Sequence, residues 1–302
     1  MTRKKILVYL RAMRVNQWVK NLVVFTAVIF SGKLFEVPIL LSSIYAFFVF
    51  CLLSSTSYVL NDIIDKPYDQ IHAQKRRRPI ASGEITIAEA LFLVFILTFI
   101  SLMVSLLFSV EFFLLAFIFI LLHFFYSLYL KRYPLFDLFA ISFSFMIRAF
   151  AGEVVSKYHI PIWLLLTIFF ISLFMASVKR QAELVVQGSA ARISLASYRE
   201  HLLNFLTTTF ATATIIAYSF YTYFEKPPQL ADVFGSLFPT FEARKWMMAT
   251  IPLVVFGLAR YAQLLFDKEQ GERPEQIITT DIPLIITVFL WGALVIGLIY
   301  LF

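Results

Sequence analysis

Nine apolar stretches, each long enough to cross a lipid bilayer as an α-helix, make up most of this chain. Each is bounded by charged residues or by proline, which is typical of membrane-spanning helices. Because 60% of the 302 residues are hydrophobic, a soluble domain is excluded. We therefore predict an all-α, polytopic membrane protein with about nine transmembrane helices. The predicted spans are residues 22–38, 39–60, 87–108, 112–130, 135–152, 161–178, 202–222, 247–265 and 282–302.

No low-complexity linker separates these stretches, and the sequence shows no obvious internal repeat. We therefore predict that residues 1–302 form a single domain. The net charge of +7 would be compatible with a nucleic-acid partner. In a membrane protein, however, basic residues concentrate in cytoplasmic loops, and this explanation predicts no nucleic-acid binding. The single cysteine, Cys51, lies in an apolar run and cannot form an intrachain disulfide.

The basic residues fall on one side of the predicted membrane. With nine spans, the N-terminal segment and the loops at 61–86, 131–134 and 179–201 share one side, which the positive-inside rule assigns to the cytoplasm. The spans themselves contain few ionisable residues, whereas a channel or carrier is expected to place polar residues within them. This pattern favours an enzyme that works at the inner face of the membrane over a transporter.

Three carboxylates, Asp62, Asp65 and Asp69, directly follow the second predicted span. In a helix, their spacing of 3 and 4 places them within about 60° of one face. Such clusters bind Mg²⁺ bridged to the phosphates of a substrate, although a solvated helix end is the simpler alternative. We predict that Asp62 and Asp65 are metal ligands and that Asp69 completes the set. Pro67 makes the last position less secure, because proline disfavours helix at the residue before it.

A basic run from Lys75 to Arg78 follows these aspartates at once. We predict that Lys75 and Arg78 bind a phosphate. Arg76 and Arg77 could instead serve as positive-inside charge or as lipid anchors.

Asp137 and Arg148 lie three turns apart on one face of the fifth predicted helix. At about 16 Å they cannot pair with each other, so each needs another partner. Asp137 is a candidate second-site metal ligand, and Arg148 a candidate phosphate clamp. Interhelical salt bridges are the alternative for both residues. Asp62, Asp65, Asp137 and Arg148 form the predicted catalytic set.

The remaining candidates lie at the inner ends of other predicted spans. Lys179 and Arg180 end the sixth span, where a surface pair between Lys179 and Glu183 is the simpler explanation. Near the N-terminus, Arg14 and Lys20 could hold a lipid phosphate. The full predicted substrate-binding set is Arg14, Gln17, Lys20, Asn61, Lys75, Arg78, Tyr126, Lys131, Lys179 and Arg180.

At these residues the chain resembles the UbiA superfamily of intramembrane prenyltransferases, and within it the decaprenyl-phosphate phosphoribosyltransferase branch. Residues 61–69 are similar to the superfamily's first Asp-rich motif, N-D-x-x-D-x-x-x-D. Motifs similar to the branch are His72-x-x-Lys75-x-x-Arg78-Pro79, Arg14-x-x-Gln17-Trp18-x-Lys20-Asn21, Arg148-Ala149-x-Ala151-Gly152, Lys179-Arg180-x-Ala182-Glu183, Arg260-Tyr261, Pro274-Glu275 and Asp281. The chain departs from the branch at Val15, Ala73 and Glu153, and its second Asp-rich motif is reduced to Tyr126, Lys131 and Asp137.

The resemblance implies a nine-helix bundle around a cytoplasm-facing cavity in a bacterial inner membrane. The implied donor is 5-phosphoribosyl 1-diphosphate and the acceptor a polyprenyl phosphate. Mg²⁺ at Asp62, Asp65 and Asp69 would neutralise the departing diphosphate, while the lipid phosphate attacks the anomeric carbon with inversion. Arg148, Lys179 and Arg180 would order the two substrates. Because a phosphate monoester is already anionic at neutral pH, no strong general base is required.

Two alternatives from different classes remain open at this point. The first is transfer of a prenyl group from prenyl diphosphate to an aromatic or quinone-precursor acceptor, which needs the same aspartates. The second is a lipid transporter without catalysis, which the scarcity of charges within the spans disfavours. The sequence also leaves open whether the protein forms a homo-oligomer.

Overall fold

The computed structural model describes the chain in five ranges: 3–72, 74–187, 200–225, 243–267 and 280–300. Its α-helices in these ranges are α1 (Arg3–Ala12), α2 (Thr26–Phe30), α3 (Val37–Ile71), α4 (Ile87–Phe108), α5 (Val110–Leu128), α6 (Phe136–Ser156), α7 (Ile162–Gln187), α8 (Glu200–Phe224), α9 (Ile251–Asp267) and α10 (Ile282–Tyr300). Shorter 3-10 helices span Val15–Phe25, Lys75–Arg77, Leu130–Arg132 and Ala243–Thr250. The prediction of an all-α protein is confirmed over the described ranges. Pro274 and Glu275, from the motifs near the end of the chain, lie outside them.

Eight helical segments of the described chain are long and apolar enough to cross a membrane. The first predicted span, 22–38, is not among them. A shorter apolar helical segment, Val15–Phe30, occupies part of it and ends before Gly32, whose φ of 75° is the left-handed conformation common after a helix end. The amide of Lys33 closes this end by donating to the Val28 carbonyl at 3.2 Å. The count of nine transmembrane helices therefore stays a prediction.

Helix α3 is longer than the predicted span and carries the Asp-rich motif on its last turns. It runs for 35 residues and continues past Pro67 to Ile71. Proline removes only one backbone donor, and the long helix accommodates that loss. Small polar residues in the apolar part of the helix donate hydroxyl hydrogen bonds to backbone carbonyls one turn earlier. The Ser57 hydroxyl, for example, donates to the Leu53 carbonyl at 2.9 Å. These bonds satisfy the hydroxyls where water is scarce.

The chain divides into two compact units. Unit 1 comprises Met1–Thr26, Pro38–Lys131 and Ile147–Lys157, and unit 2 comprises Ala27–Val37, Arg132–Met146 and Tyr158–Phe302. Helix α6 contributes its first half to unit 2 and its second half to unit 1. The prediction of a single domain over 1–302 stays a prediction.

The core of unit 1 joins α3, α5 and the second half of α6. Phe50 of α3 packs edge-on against Phe119 of α5, with ring centroids 5.2 Å apart. Gly152 of α6 packs directly against Val24, so that a Cβ added to this glycine would lie 1.9 Å from the Val24 carbonyl oxygen. Small residues allow such close backbone approach between membrane helices.

We expect Gly152→Ala to destabilise the protein, because the new methyl group forces α6 away from the Val24 backbone. Overpacking of this kind costs about 1–3 kcal/mol or more. Thermal unfolding of the purified protein in detergent should show a lower midpoint. Gly292→Ala is the matched control, since its Cβ would meet no atom within 4 Å. Equal midpoints for the two variants would contradict the close approach.

The core of unit 2 is built mainly by α7 and α8, which pack together over much of their length. Leu173 and Phe174 of α7 lie in an apolar cluster with Leu203 of α8 and Tyr261 of α9. Buried polar groups also join α7 and α8, where Thr207 donates to Ser177 at 3.2 Å. Polar contacts of this kind hold membrane helices together where apolar burial alone provides little driving force.

Candidate active site

The three aspartates of α3 have different environments. Asp62 and Asp69, two turns apart and therefore on one face, are 2% and 3% exposed. The Asp65 side chain is 25% exposed. A buried carboxylate is costly unless a cation or several hydrogen-bond donors compensate it, so the partners of each aspartate define the site.

Arg78 joins the two buried aspartates. Its Nη1 atom lies 3.1 Å from Asp62 Oδ1 and 2.6 Å from Asp69 Oδ2, so both carboxylates face the same guanidinium nitrogen. The backbone of the loop that carries Arg78 is fixed by Ile80 and Ile85, which are fully buried against Val59 of α3 and its neighbours. Apolar anchoring of the loop thus places a cation over the end of α3.

Arg14 approaches Asp62 from the N-terminal segment. Its Nη2 donates to Asp62 Oδ1 at 2.5 Å, and its guanidinium carbon lies 5.0 Å from the centre of the Tyr58 ring. Arg14 adopts the left-handed conformation, with φ and ψ both 51°, which is uncommon for a residue with a side chain. Such backbone conformations cost about 1–3 kcal/mol and cluster at functional sites, where surrounding contacts hold them. The ion pair and the cation–π contact provide those contacts here.

Lys131 holds Asp65 in a second group. From the 3-10 turn after α5, its Nζ donates to Asp65 Oδ1 at 2.6 Å and to Asn61 Oδ1 at 3.0 Å. Asn61 Nδ2 in turn donates to Asp65 Oδ2 at 2.9 Å. The structure thus brings these three predicted residues together.

Gln17 and Lys20 form a further contact within unit 1. Lys20 Nζ donates to Gln17 Oε1 at 2.8 Å, and the Tyr58 hydroxyl donates to the same oxygen at 3.2 Å. Tyr58 therefore contacts both Gln17 and Arg14, although it was not among the predicted site residues. Its position one turn before Asp62 on the same helix face was the available signal.

Arg148 is buried in unit 1, where its guanidinium contacts polar side chains of two other segments. Its Nε donates to Asn21 Oδ1 at 2.6 Å and its Nη2 to Ser54 Oγ at 3.3 Å. The guanidinium carbon also lies 4.6 Å from the centre of the Phe119 ring. These contacts fix the direction of the side chain. Asn21 belongs to the motif that begins at Arg14, whereas Ser54 was not among the predicted residues.

In unit 2, Asp137 and Arg180 form an ion pair between α6 and α7. Arg180 Nε lies 2.7 Å from Asp137 Oδ2, and its Nη1 lies 2.8 Å from Glu183 Oε2. Both partners of the first contact are almost completely buried. This is the interhelical salt bridge that stood as the alternative for Asp137, and a substrate role for either residue stays a prediction.

The contacts described for the remaining candidates are local. The Lys75 amide donates to His72 Nδ1 at 3.4 Å, and the Tyr126 ring lies edge-on to His123 at 6.4 Å between centroids. Lys179 lies one residue before Arg180 on α7. Any binding role of Lys75, Tyr126 and Lys179 is therefore still a prediction.

The carboxylate oxygens of Asp62 and Asp69 are ligands of the type that a divalent cation such as Mg²⁺ prefers. The described residues contain no group of three or more His, Cys, Asp or Glu side chains placed to hold a metal ion. Mg²⁺, however, is usually bound by one or two carboxylates together with water and substrate phosphates. Because Asp62 and Asp69 both face one nitrogen of Arg78, their oxygens already flank a single cation position. Asp65, which was predicted together with Asp62 as a metal ligand, faces Lys131.

Comparison with known proteins identifies the family. Residues 22–292 match the model of the UbiA prenyltransferase family. A decaprenyl-phosphate phosphoribosyltransferase of Corynebacterium glutamicum is 30% identical over 299 residues, which is 97% of this chain and 86% of that protein. One of the same name from Mycolicibacterium smegmatis is 32% identical over 291 residues, covering 93% of this chain and 89% of the relative.

Solved structures share the fold. A UbiA homolog from Archaeoglobus fulgidus, bound to GPP and Mg²⁺, superposes with a TM-score of 0.73 over 97% of this chain and 99% of that one, at 18% identity. The likeness extends over almost the whole of both chains, and eight helices of the described residues are suited to cross a membrane. The chain therefore belongs to the UbiA prenyltransferase family and is a multi-pass membrane transferase with the UbiA fold.

Proposed function

We propose that this protein transfers 5-phosphoribosyl from 5-phosphoribosyl 1-diphosphate to a polyprenyl phosphate, releasing diphosphate in a Mg²⁺-dependent reaction. The relatives named for this activity match more than nine-tenths of the chain. The observation that carries the proposal is the convergence of basic side chains on the Asp-rich end of α3. Arg14, Arg78 and Lys131 contact the three aspartates directly. Lys20 is connected to Tyr58 of the same helix through Gln17. A site for two phosphate-bearing substrates requires such positive charge, whereas a neutral aromatic acceptor does not.

The basic side chains provide positioning and charge. Arg78 and Arg14 present guanidinium forks, which suit the paired oxygens of a diphosphate. Lys131 and Lys20 are point charges suited to a phosphate monoester. Since the acceptor oxygen is already anionic, no residue of the chain needs to remove a proton, and catalysis rests on orientation and charge stabilisation.

Asp62 and Asp69 are the residues best placed to hold Mg²⁺, with Asp65 close in sequence and facing Lys131. When bound, Mg²⁺ would supply Lewis-acid stabilisation of the departing diphosphate. The structural relative with bound Mg²⁺ supports a metal in this fold. Substrate binding by Lys75, Tyr126 and Arg148 of unit 1 is also part of the proposal. For Asp137, Lys179 and Arg180 of unit 2, a role in substrate binding stays a separate prediction.

We further propose that the protein lies in a bacterial inner membrane with its active site on the cytoplasmic side. The concentration of basic residues in the N-terminal segment and the 61–86 loop supports this orientation. Phosphoribosyl diphosphate is a charged, water-soluble donor, which is consistent with entry from that side.

The test is diphosphate release by the purified protein in detergent, with Mg²⁺, phosphoribosyl diphosphate and a polyprenyl phosphate. We expect release only when both substrates and Mg²⁺ are present, with radiolabelled ribose phosphate appearing in the lipid fraction. Release from a prenyl diphosphate with an aromatic acceptor, and none from phosphoribosyl diphosphate, would support prenyl transfer instead. Movement of lipid across vesicles without diphosphate release would support a transporter.

A further inference from the structure

The described carboxylates of the Asp-rich motif all face cations that belong to the chain itself. Arg14 and Arg78 contact Asp62, Arg78 contacts Asp69, and Lys131 contacts Asp65. Three negative charges on α3 are thus matched by three positive charges. A divalent cation that bound here without an accompanying anion would add two positive charges close to three basic side chains. Such uncompensated charge is unfavourable in a partly buried site.

The contacts of Arg78 make this competition direct. Its Nη1 atom lies within hydrogen-bond distance of one oxygen of Asp62 and one of Asp69, so this nitrogen occupies the space between the two carboxylates that would hold a metal. A metal ion and this guanidinium nitrogen cannot lie between the two carboxylates at the same time. A metal held between these two oxygens would therefore displace the Arg78 side chain.

Arg78 is able to leave while its loop stays in place. Its side chain is 25% exposed, whereas Ile80 and Ile85 fix the loop backbone in the apolar core. Arg14 is more constrained, because the Tyr58 ring stacks on its guanidinium. The side chain that lies between the two carboxylates is thus one that an incoming anion can reach.

We infer that Arg78 couples metal binding to diphosphate binding: it leaves Asp62 and Asp69 for the incoming diphosphate, so that a divalent cation binds tightly only together with that anion. The diphosphate supplies the negative charge that balances the metal, and it offers Arg78 a new bidentate partner. This inference rests on the proposed function only in requiring a diphosphate-bearing substrate.

The coupling can be measured without turnover. The full protein in a nonionic detergent is dialysed to equilibrium against Mn²⁺, as a stand-in for Mg²⁺, with and without inorganic diphosphate. Mn²⁺ also forms complexes with free diphosphate, but these equilibrate across the dialysis membrane. The excess of total Mn²⁺ in the compartment with the protein therefore measures the bound metal. We expect diphosphate to raise the Mn²⁺ affinity of the unmodified protein at least tenfold. Because the coupling is reciprocal, Mn²⁺ should raise the affinity for radiolabelled diphosphate by the same factor.

Substitution of Arg78 should remove the coupling. In Arg78→Gln, we expect Mn²⁺ alone to bind about tenfold more tightly and the effect of diphosphate to shrink toward none. Arg78→Lys keeps the charge and should keep most of the coupling. Arg11→Gln is the matched control, because Arg11 pairs with Glu84 rather than with the motif and should behave as the unmodified protein.

Two results would overturn the inference: equal Mn²⁺ affinity with and without diphosphate in the unmodified protein, or unchanged coupling in Arg78→Gln. If Arg78→Gln does not fold, the first comparison and Arg78→Lys still decide. Coupling without any transfer from phosphoribosyl diphosphate would refute the proposed donor and leave the role of Arg78 intact. Transfer from phosphoribosyl diphosphate without coupling would support the proposed donor and refute the role of Arg78.

Discussion

We expect Asp62→Asn to lower the rate of diphosphate release at least about 100-fold, while the protein still inserts into membranes and purifies. Asp62 is buried, and its Oδ1 atom is the point where Arg14 and Arg78 meet. The amide keeps the size of the side chain and one oxygen acceptor, but it loses the charge that would bind a metal and orient two guanidinium groups. Steady-state release of diphosphate with both substrates and Mg²⁺ is the measurement.

A control separates loss of the site from loss of the fold. Glu84→Gln also removes an acidic charge from unit 1, but Glu84 pairs with Arg11 away from the motif, so its activity should be unchanged. Thermal unfolding and gel filtration in detergent should show that Asp62→Asn remains folded. We expect Asp65→Asn to behave like Asp62→Asn, because it removes the partner of Lys131. Normal turnover in both aspartate variants would refute the metal assignment.

The sequence predicted which residues of α3 share a face, because helical periodicity fixes positions along one element. It also placed the basic run close enough for Arg78 to reach the aspartates, since only a short loop separates them. The contacts of Arg78 with Asp69 and Asp62, 9 and 16 residues away along the chain, are of a range that spacing and charge can indicate. The motifs also predicted membership of the UbiA superfamily, and the match of residues 22–292 to the family model confirms this prediction.

Contacts between distant segments were harder to foresee. Arg14 reaches Asp62 from 48 residues away, and it does so through a left-handed backbone conformation that no glycine signals. Tyr58 looked like an ordinary aromatic residue in an apolar run until Arg14 and Gln17 were placed beside it. Such pairings depend on tertiary packing, which neither hydrophobic periodicity nor motif spacing encodes.

Helix boundaries differed from the predicted spans for a related reason. Hydropathy measures how apolar a segment is, but it does not register a conformational stop such as Gly32 within the first predicted span. It also cannot report that a polar helix end continues, as α3 does through Pro67 to Ile71. The Asp-rich motif consequently lies on regular helix rather than in a loop, and this places Asp62 and Asp69 on the same face.

The buried ion pair of unit 2 leads to the prediction with the largest effect on stability. Arg180→Met removes the guanidinium group that lies 2.7 Å from the Asp137 carboxylate, and Asp137 is completely buried at the start of α6. Removing one partner of a buried pair typically costs about 3–5 kcal/mol, because the remaining charge loses its compensation. We expect a large drop in the unfolding midpoint. Arg260→Met is the control, since the Arg260 side chain is 26% exposed in its pair with Asp281 and should matter less.

A second substitution distinguishes a structural pair from a binding role. In Arg180→Met/Asp137→Asn the buried charge is gone, so stability should recover most of the loss, whereas Glu183 is partly exposed and tolerates the absence of Arg180. If the pair serves only the fold, turnover should recover with stability. If Arg180 binds a substrate phosphate, the stable double variant should keep a raised KM for that substrate. Failure of the double variant to regain stability would show that the ion pair is not what holds Asp137 in place.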